Sequence, residues 1–489
     1  MPAARRGDLL VALSAFVPLA LFVARERAIA GAAGFPLDDA WIHLHFARNL
    51  IEGAGFSYNP GQPVAGSTAP LWTLMVAGAA LVVGASIMTA KALGVAATIA
   101  AGIVTRRAAL AWGATPAAAT AGGVALVWTG AMAWGALSGM EVSVAALLVA
   151  AALLAHARGS ATGAAVAAAL AALARPEAIV LVPLLAVAGR LTLRRLALFT
   201  AVTALVLGPA VLFSLATVGS PVPATAAAKI EGGLIGFLSG VRESPAETWL
   251  RRPWQFLVAW FGWLATTHWL LPLAVMPGIA IAWWRGGPRL AIPGLALLAH
   301  PLAMALLAPY RDPSFQEGRY SMHLLPLALV ILAIAVPRGP RWARATLIVW
   351  LAIAVVRWPG AADRYAWAVQ NINGMQVSLG HWVDRNLPRT ARIAVNDIGA
   401  IVYVSRRDVI DLMGLVTPEI IPYRRRGEAG VIDYVRETCP DFVIVFPTWF
   451  PELTKRAWML QPIHRVRLER NVVSGSDEMV VYRLLRCAV

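Results

Sequence analysis

Two adjacent carboxylates, Asp38 and Asp39, stand between the first apolar run of the chain and the stretch AWIHLHFARNLIEG. One aspartate is enough to cap a helix N-terminus, so the second charge suggests a further role. Beside an apolar wall, such a pair has raised pKa values unless a cation or a metal compensates for its charge. A general base or an ion site can be built in this way. The alternative is the simple start of an amphipathic helix on a membrane surface.

The composition indicates a membrane protein. Of the 489 residues, 59% are hydrophobic and only 14% are charged, whereas soluble domains carry about 25% charged residues. This apolar excess is too large for one buried core, so a lipid bilayer must be part of the solvent. The net charge of +16 is spread over the ends of the apolar runs, which indicates membrane topology rather than nucleic-acid binding.

Apolar runs of about 20 residues predict eleven membrane-spanning helices. The runs are 9–30, 88–105, 116–136, 142–157, 160–174, 177–190, 196–217, 262–284, 290–309, 321–337 and 343–357. The loops between them alternate between arginine-rich and acid-rich. Because arginine-rich loops stay in the cytoplasm, the N-terminus is expected inside and the C-terminus outside.

The run 71–86 breaks this alternation if it spans the membrane. We therefore expect it to form a juxtamembrane or re-entrant helix on the outer side, buried in protein. A twelfth spanning helix is the alternative.

The last 132 residues have a different composition. Residues 358–489 contain 17 Lys and Arg and 14 Asp and Glu, which is a density typical of soluble domains. Alternating helix and strand patterns predict an extracytoplasmic α/β domain, with 390–486 packed near the loop 36–70. The transmembrane part is then 1–357, with a catalytic outer loop at 31–87. Cys439 and Cys487 lie in the exported part, where they either pair or stay as free thiols.

Ionisable residues at the mouths of the predicted spans are further site candidates, since charges near a bilayer are often functional. Lys229 suits a phosphate as a point charge, and Arg319 suits it as a bidentate clamp. The alternative roles are helix caps, internal ion pairs and interfacial anchors. The candidates of this group are Glu141, Arg175, Glu177, Lys229, Arg319 and Tyr320.

Two histidines and one late aspartate complete the candidates. His43 and His45 are two positions apart, so they do not share a helix face and are not expected to form a zinc pair. One of them can point to the site while the other packs. Asp397 opens the turn NDIGA, where it either caps a helix or contacts the substrate.

Several motifs resemble the bacterial GT-C glycosyltransferases, and most of all the cell-wall arabinofuranosyltransferases. They occur in the family order and lie mostly in the predicted outer loops. The matching segments are LDDAWIHLHFARNLIEGAGFSYNPGQPVAGSTAPLWTL from Leu37, LSGMEV at 137–142, LARPEAIV at 173–180, GSPVPATAAAKI at 219–230, EGRYSMHLLPL at 317–327 and NDIGAIVYVSRRDVIDLMGL at 396–415. The chain departs from the family at His45, where relatives place arginine, and at AGSTA (65–69), which replaces E-G-Y-T-N. These departures concern the sugar and the acceptor more than the reaction class.

The resemblance implies a membrane enzyme that moves a sugar, such as arabinose, from a polyprenyl-phosphate donor. The acceptor would be a glycan, lipid or protein of the cell envelope, at the outer face of the bacterial cytoplasmic membrane. Asp39 would act as the base with Asp38 in support, and the remaining candidates would bind substrate. Some enzymes of this class use a divalent cation, so Mg²⁺ or Mn²⁺ is compatible with the acid pair, but two carboxylates do not define a metal site.

Other classes of protein fit the sequence less well. A flippase or transporter of lipid-linked sugars would place ionisable groups near mid-membrane and often shows inverted repeats, and neither pattern is visible here. An O-antigen ligase would depend on Arg and His in a large late loop rather than on an early acid pair. A non-catalytic relative is the remaining alternative, and His45 and AGSTA (65–69) favour it.

The charge pattern predicts that Arg106, Arg194, Arg285 and Arg341 are cytoplasmic and that 358–489 is outside. Cysteine labelling in intact cells measures this, with single cysteines introduced into a Cys439→Ser/Cys487→Ser background. A cysteine at position 230 should react with an impermeant reagent without lysis. Labelling at that position only after lysis would contradict the predicted topology.

Overall fold

The computed structural model describes residues 3–230, 232–238, 240–268, 271–286, 288–335 and 343–487. Of the residues used in the topology prediction, Arg341 and the side chain of Arg285 lie outside this description. The described chain is mostly helical and ends in one small β-sheet.

Up to residue 386, most of the described chain consists of helices. They are α1 (Ala3–Ala30), α2 (Asp39–Ile51), α3 (Pro70–Val83), α4 (Ile87–Ala111), α5 (Pro116–Trp128), α6 (Gly130–Leu137), α7 (Val142–Ala157), α8 (Ala161–Ala174), α9 (Leu181–Val187), α10 (Leu193–Val218), α11 (Ala224–Lys229), α12 (Gly233–Leu238), α13 (Arg252–Thr267), α14 (Leu271–Gly286), α15 (Pro288–Leu307), α16 (Phe315–Gly318), α17 (Leu325–Ala335), α18 (Ala343–Ile372) and α19 (Ser378–Asn386). Short 3₁₀ or π turns join some of them, at Pro176–Val180, Glu247–Arg251, Met322–Leu324 and Asn373–Val377.

Four helical stretches of the described chain are long and apolar enough to cross a membrane. They are Arg5–Ala30, Ile87–Ala111, Leu193–Val218 and Phe315–Ala335. The pair α5 and α6 passes the same test together but bends by 56° at the break between them. The predicted number of eleven spans stays a prediction.

Another predicted span is broken in the structure. The apolar run 262–284 is divided between α13 and α14, because α13 ends at Thr267 and His268 adopts an extended backbone. The α13 helix also begins earlier than expected, at Arg252. Apolar composition alone does not show this break, since the residues on both sides of it are equally hydrophobic.

The run 71–86 forms α3, which has 14 residues and is about 21 Å long. A bilayer core of about 30 Å needs a longer helix, so α3 is too short to span it alone. One face of α3 is buried and includes Trp72, Val76 and Ala80. The indole nitrogen of Trp72 donates a hydrogen bond to Gly139 O at 2.9 Å. Leu81 and Val82 are exposed, so the expected burial holds for one face only.

The antiparallel hairpin of α7 and α8 positions two charged residues. Both helices are rich in alanine, and small side chains allow helix backbones to approach closely. Glu141 directly precedes α7 and Arg175 directly follows α8. The hairpin therefore brings this carboxylate and this guanidinium to the same end of the helix bundle.

The C-terminal sheet has five strands in the order β2-β1-β3-β5-β4. Strands β1, β2 and β3 are parallel, whereas β5 is antiparallel to both β3 and β4. The strands and the helices among them are β1 (Ile393–Val395), α20 (Gly399–Ser405), β2 (Val409–Asp411), α21 (Ile421–Arg424), α22 (Glu428–Thr438), β3 (Phe442–Val445), α23 (Pro451–Thr454), β4 (Leu460–Arg467) and β5 (Glu478–Leu484).

One face of this sheet packs against the loop that carries the acid pair. Ile42 and Phe46 of α2 share a buried apolar cluster with Val395 of β1. The Tyr58 hydroxyl donates to Ile398 O at 2.7 Å, and the Asn59 side-chain amide donates to Val409 O at 2.9 Å. The sheet and the 36–70 loop are thus in direct contact.

The α18 helix continues through residue 357 to Ile372, so the boundary predicted between 357 and 358 falls inside one helix. A π turn at Asn373–Val377 follows, and α19 begins at Ser378. The backbone is therefore helical from Ala343 to Asn386.

Cys439 and Cys487 form a disulfide, which decides between the two states left open by the sequence. The bond joins residues 48 positions apart, and closing a loop of this size stabilises a fold by about 2–4 kcal/mol. We expect Cys439→Ser/Cys487→Ser to make the sheet more sensitive to limited proteolysis. Alkylation of the unreduced, denatured protein should modify neither cysteine, and modification of both would contradict the bond.

Candidate active site

A cavity of about 490 Å³ lies at the end of the bundle where Glu141 and Arg175 meet. Eight of the eleven predicted site residues line it. They are Asp39, His43, Glu141, Arg175, Glu177, Lys229, Arg319 and Tyr320. Residues from five separate segments of the chain thus converge on one space.

Asp39 is the first residue of α2 and is paired with two cations. Its Oδ2 atom lies 2.6 Å from Nη2 of Arg319 and 3.8 Å from Nζ of Lys229. Burial alone would raise the pKa of Asp39, but the charges of Lys229 and Arg319 outweigh burial and hold it well below its ordinary range. Asp39 is therefore ionised while both cations remain beside it.

Arg319 is held in place by an unusual backbone turn. Gln316, Glu317 and Gly318 all have positive φ, and the indole nitrogen of Trp263 donates to Glu317 O at 3.2 Å. A side chain at Gly318 would collide with the Trp263 ring, so glycine is required there. Nη2 of Arg319 also lies 3.0 Å from the Tyr320 hydroxyl.

Two nitrogen atoms of Arg319 are without a hydrogen-bond acceptor in the described structure. Nε and Nη1 are buried and unpaired, although the guanidinium already contacts Asp39 through Nη2. A buried donor without a partner costs about 1–3 kcal/mol. An anion that enters the cavity could accept hydrogen bonds from both atoms.

Glu141 is the centre of a second charge cluster. Its carboxylate forms an ion pair with Arg175, and its Oε2 atom lies 3.6 Å from Nε2 of His43. Arg175 Nε is also 3.3 Å from Glu177 Oε2. Burial would raise the pKa of Glu141, but Arg175 and then His43 hold it below its ordinary value. The cluster is internally balanced and fixes His43, whose Nδ1 lies 3.0 Å from Thr73 Oγ1.

The Tyr320 ring connects the two clusters. The guanidinium of Arg175 lies 4.6 Å from its centroid and that of Arg319 lies 5.0 Å from it. Cation–π contacts of this kind hold guanidinium groups in fixed positions.

Three further lining residues were not predicted from the sequence: His300, Tyr310 and Arg311. Tyr310 lies under Lys229 and Arg311, whose cationic groups are 5.4 Å and 5.2 Å from its ring centroid. Tyr310 and Arg311 precede Arg319 in the same predicted outer loop, which is a signal that could have identified them. His300 lies within an apolar run, and nothing in its neighbours indicates the cavity.

The rest of the cavity wall is apolar. The apolar lining residues include Leu207 and Val211 of α10, Leu307 of α15 and Ile230. The space therefore combines a charged end with a hydrophobic side.

Asp38, His45 and Asp397 do not line the cavity. Asp38 accepts hydrogen bonds from the backbone amides of Gly399 and Ala400 at 2.7 and 2.8 Å, so it stabilises the start of α20. His45 Nε2 lies 2.8 Å from Tyr58 O, and its ring packs on the Tyr58 ring. These two residues hold α2 and its loop against the C-terminal sheet.

Asp397 lies beside Asp38 in this contact. Its Oδ2 accepts a hydrogen bond from the side-chain amide of Gln376 at 2.8 Å. Burial and the charge of Asp397 raise the pKa of Asp38 well above its ordinary value, and burial raises the pKa of Asp397 to about 6. The two carboxyl groups thus repel each other where the loop meets the sheet.

In the described chain, no three His, Cys, Asp or Glu side chains are placed to hold a metal ion. Asp39 faces Arg319 and Lys229, whereas Asp38 is bound to backbone amides. The acid pair does not converge on one point, so its donors do not fit a divalent cation.

Comparison with known proteins identifies similar folds. Residues 368–482 match the family model of a domain of unknown function, DUF8728. No protein of curated function is a significant match. ArnT from Cupriavidus metallidurans, in a crystal structure bound to undecaprenyl phosphate, is 14% identical with a TM-score of 0.58, and the alignment covers 97% of each chain.

Two other solved structures are similar over most of this chain. The oligosaccharyltransferase AglB from Archaeoglobus fulgidus, in complex with an inhibitory peptide and a dolichol-phosphate, is 11% identical with a TM-score of 0.58, and the alignment covers 94% of this chain and 73% of AglB. The arabinofuranosyltransferase AftD from Mycobacteria is 18% identical over 97% of this chain and 41% of its own, but its TM-score of 0.42 is too low to support a shared sugar. The expected GT-C fold is confirmed.

The raised pKa values at Asp38 and Asp397 predict a pH-dependent contact between the loop and the sheet. A carboxyl group with a raised pKa in the folded state contributes stability below about pH 4, and this stability is lost as the pH rises through about 6. Asp397→Asn removes the repulsion. It should therefore reduce the loss of unfolding free energy between pH 4 and 6, on the order of 1–2 kcal/mol.

Thermal unfolding of the purified protein over this pH range measures the effect. Asp433→Asn is the matched control, because Asp433 is exposed on α22 and pairs with Arg426. Equal pH slopes for the parent and Asp397→Asn would contradict the prediction.

Proposed function

We propose that this chain is a membrane glycosyltransferase that moves a sugar from a polyprenyl-phosphate donor to a cell-envelope glycan, lipid or protein. The observation that carries the proposal is the convergence of Arg319 and Lys229 on Asp39, in a cavity with an apolar side. Two cations suit the phosphate of the donor, the apolar wall suits its prenyl chain, and a carboxylate suits the acceptor proton. ArnT and AglB, which share the fold, were solved with polyprenyl phosphates bound.

The donor phosphate would compete with Asp39 for the two cations. Nε and Nη1 of Arg319 are the available donors, and Lys229 contributes a mobile point charge. As the cations turn toward the phosphate, the pKa of Asp39 would rise toward its ordinary range, because the charges that depress it are shared. Donor binding would in this way convert an ion-pair partner into a base.

The transfer itself is a substitution at the anomeric carbon. The acceptor hydroxyl oxygen attacks that carbon, its proton passes to Asp39, and the bond from carbon to phosphate oxygen breaks. The electron pair of this bond stays on the phosphate, where Arg319 and Lys229 stabilise the charge. Glu141, Arg175 and Glu177 would shape the sugar subsite, with Tyr320 and His43 fixed among them.

The mechanism assigns the cationic role to side chains. Arg319 and Lys229, which both contact Asp39, would neutralise the charge of the donor phosphate.

The proposal places the cavity and the C-terminal sheet at the outer face of the bacterial cytoplasmic membrane, with eleven spans. The charge asymmetry of the loops supports this orientation. The disulfide between Cys439 and Cys487 also supports it, because such bonds persist in oxidising compartments. The division into a transmembrane part, 1–357, and a soluble part, 358–489, stays a prediction.

Variants of the cavity separate the base from the phosphate ligands. Asp39→Asn should lower the single-turnover rate about 10²–10⁴-fold, because a base acts in the transition state. Donor affinity should be kept or increased, because Arg319 and Lys229 no longer pair with a competing carboxylate. Lys229→Ala and Arg319→Ala should weaken donor binding about 10- to 100-fold each, because they lose a hydrogen bond to a charged group. Single-turnover transfer and donor affinity are the two measurements.

Arg465→Ala is the control for the cation variants, since Arg465 is exposed and pairs with Glu478 on β5, outside the cavity. Asp312→Asn serves for Asp39→Asn in the same way, because Asp312 does not line the cavity. If folded Asp39→Asn turns over like the parent, Asp39 only begins a helix.

A donor screen tests the reaction class. Purified protein is incubated with a panel of prenyl-phosphate sugars, beginning with the arabinofuranosyl donor that the sequence motifs suggest. Sugar loss and release of free lipid phosphate should rise together for the true donor. Movement of the intact lipid-linked sugar across vesicles without its cleavage would instead indicate a flippase.

A further inference from the structure

A second cavity lies at the opposite end of the α7–α8 hairpin and has a volume of about 1280 Å³. It is bounded by the C-terminal ends of α4 and α7, the turn 159–162, the segment 188–192 and the first turns of α10. The 16 residues of α7 separate it from Glu141 by about 24 Å. It is therefore distinct from the cavity around Asp39.

The rim of this second cavity is basic. Arg190 and Arg194 line it and are exposed, and neither forms an ion pair or a side-chain hydrogen bond in the described chain. Among the described residues, no Asp or Glu lines it. Arg195 has a different role, since it donates to the carbonyls of Leu185 and Ala186 at the end of α9. Two cationic side chains are thus available to an anion.

Two helices begin at this rim. The Ser160 hydroxyl accepts from Gly163 N at the start of α8, and the Thr192 hydroxyl accepts from Arg195 N at the start of α10. The positive ends of these two helix dipoles meet the negative ends of α4 and α7 at the same cavity, so the positive charge of the rim comes from the arginines.

An apolar surface continues from the basic rim along α10. Leu198 and Ala201 line the cavity, and further along the helix Leu205 is 77% exposed and Leu212 is 67% exposed. Trp112, at the rim, donates from its indole nitrogen to Leu153 O, and tryptophan is enriched at the membrane interface. A ligand that fits this surface has a compact anionic head and long hydrocarbon chains.

We propose that this cavity binds the phosphate head group of an anionic phospholipid, with the acyl chains lying along α10. Phosphate matches Arg190 and Arg194, and basic pockets between membrane helices on the cytoplasmic side bind anionic head groups by the same chemistry. The site does not depend on the proposed sugar transfer, because it shares no lining residue with the Asp39 cavity.

Native mass spectrometry of the purified full chain tests the proposal. Phosphatidylglycerol and phosphatidylcholine with identical acyl chains are titrated in parallel, and phosphatidylglycerol should bind more tightly. Arg190→Ala and Arg194→Ala should each weaken phosphatidylglycerol binding about 5-fold, and the double variant about 30-fold. Phosphatidylcholine binding should not change.

Arg158→Ala is the matched control, since Arg158 is exposed at the same end of α7 but does not line the cavity. It should leave phosphatidylglycerol affinity close to that of the parent, and Arg190→Lys/Arg194→Lys should retain most of the affinity. Glycerol phosphate, which has the charge but no chains, should not compete at equal concentration. The proposal would be overturned by any one of three results. These are equal binding of both lipids, equal effects of Arg158→Ala and the double variant, and effective competition by glycerol phosphate.

Discussion

The arrangement of the molecule depends on one shared charge contact, in which Arg319 and Lys229 meet a single oxygen of Asp39. These residues come from the start of α2, the end of α11 and the turn after α16, so their charges meet only if these three segments hold fixed positions. The Trp263 hydrogen bond, the left-handed turn at 316–318 and the Tyr320 ring all act on Arg319. Much of the fold around the cavity can be understood as support for this contact.

The two adjacent aspartates have opposite functions in the structure. Asp39 faces the cavity and its cations, whereas Asp38 faces the backbone amides at the start of α20. The pKa shifts follow this division, since cations depress the pKa of Asp39 while burial and a neighbouring carboxyl raise that of Asp38. Asp39 thus belongs to the candidate active site, and Asp38 joins the same loop to the C-terminal domain. These separate roles explain why two like charges stand together.

The sequence predicted what depends on local pattern and charge. The ends of α7 and α8 agree with the apolar runs, and the α/β pattern of the tail agrees with the observed sheet. Most of the charged residues predicted at the ends of the spans line one cavity. Charged side chains are unfavourable in lipid, so they are found where the apolar helices end. The sequence did not show which of two neighbouring residues reaches the cavity. Nothing local distinguishes Asp38 from Asp39. Nor does the local sequence show that His45 packs on Tyr58 while His43 reaches Glu141. His300 was missed because a histidine within an apolar run gives no periodic signal.

The unbroken helical backbone from Ala343 to Asn386 has a mechanical consequence. A domain that is joined to a helix bundle by a flexible linker can move independently of the bundle. The C-terminal sheet instead follows a stiff, continuous helical segment that begins in the bundle. A tilt of α18 would therefore move the whole sheet. The helix would bend most easily at Pro359, because it lacks one backbone hydrogen bond there. The distance of the sheet from the cavity would then depend on the angle of α18.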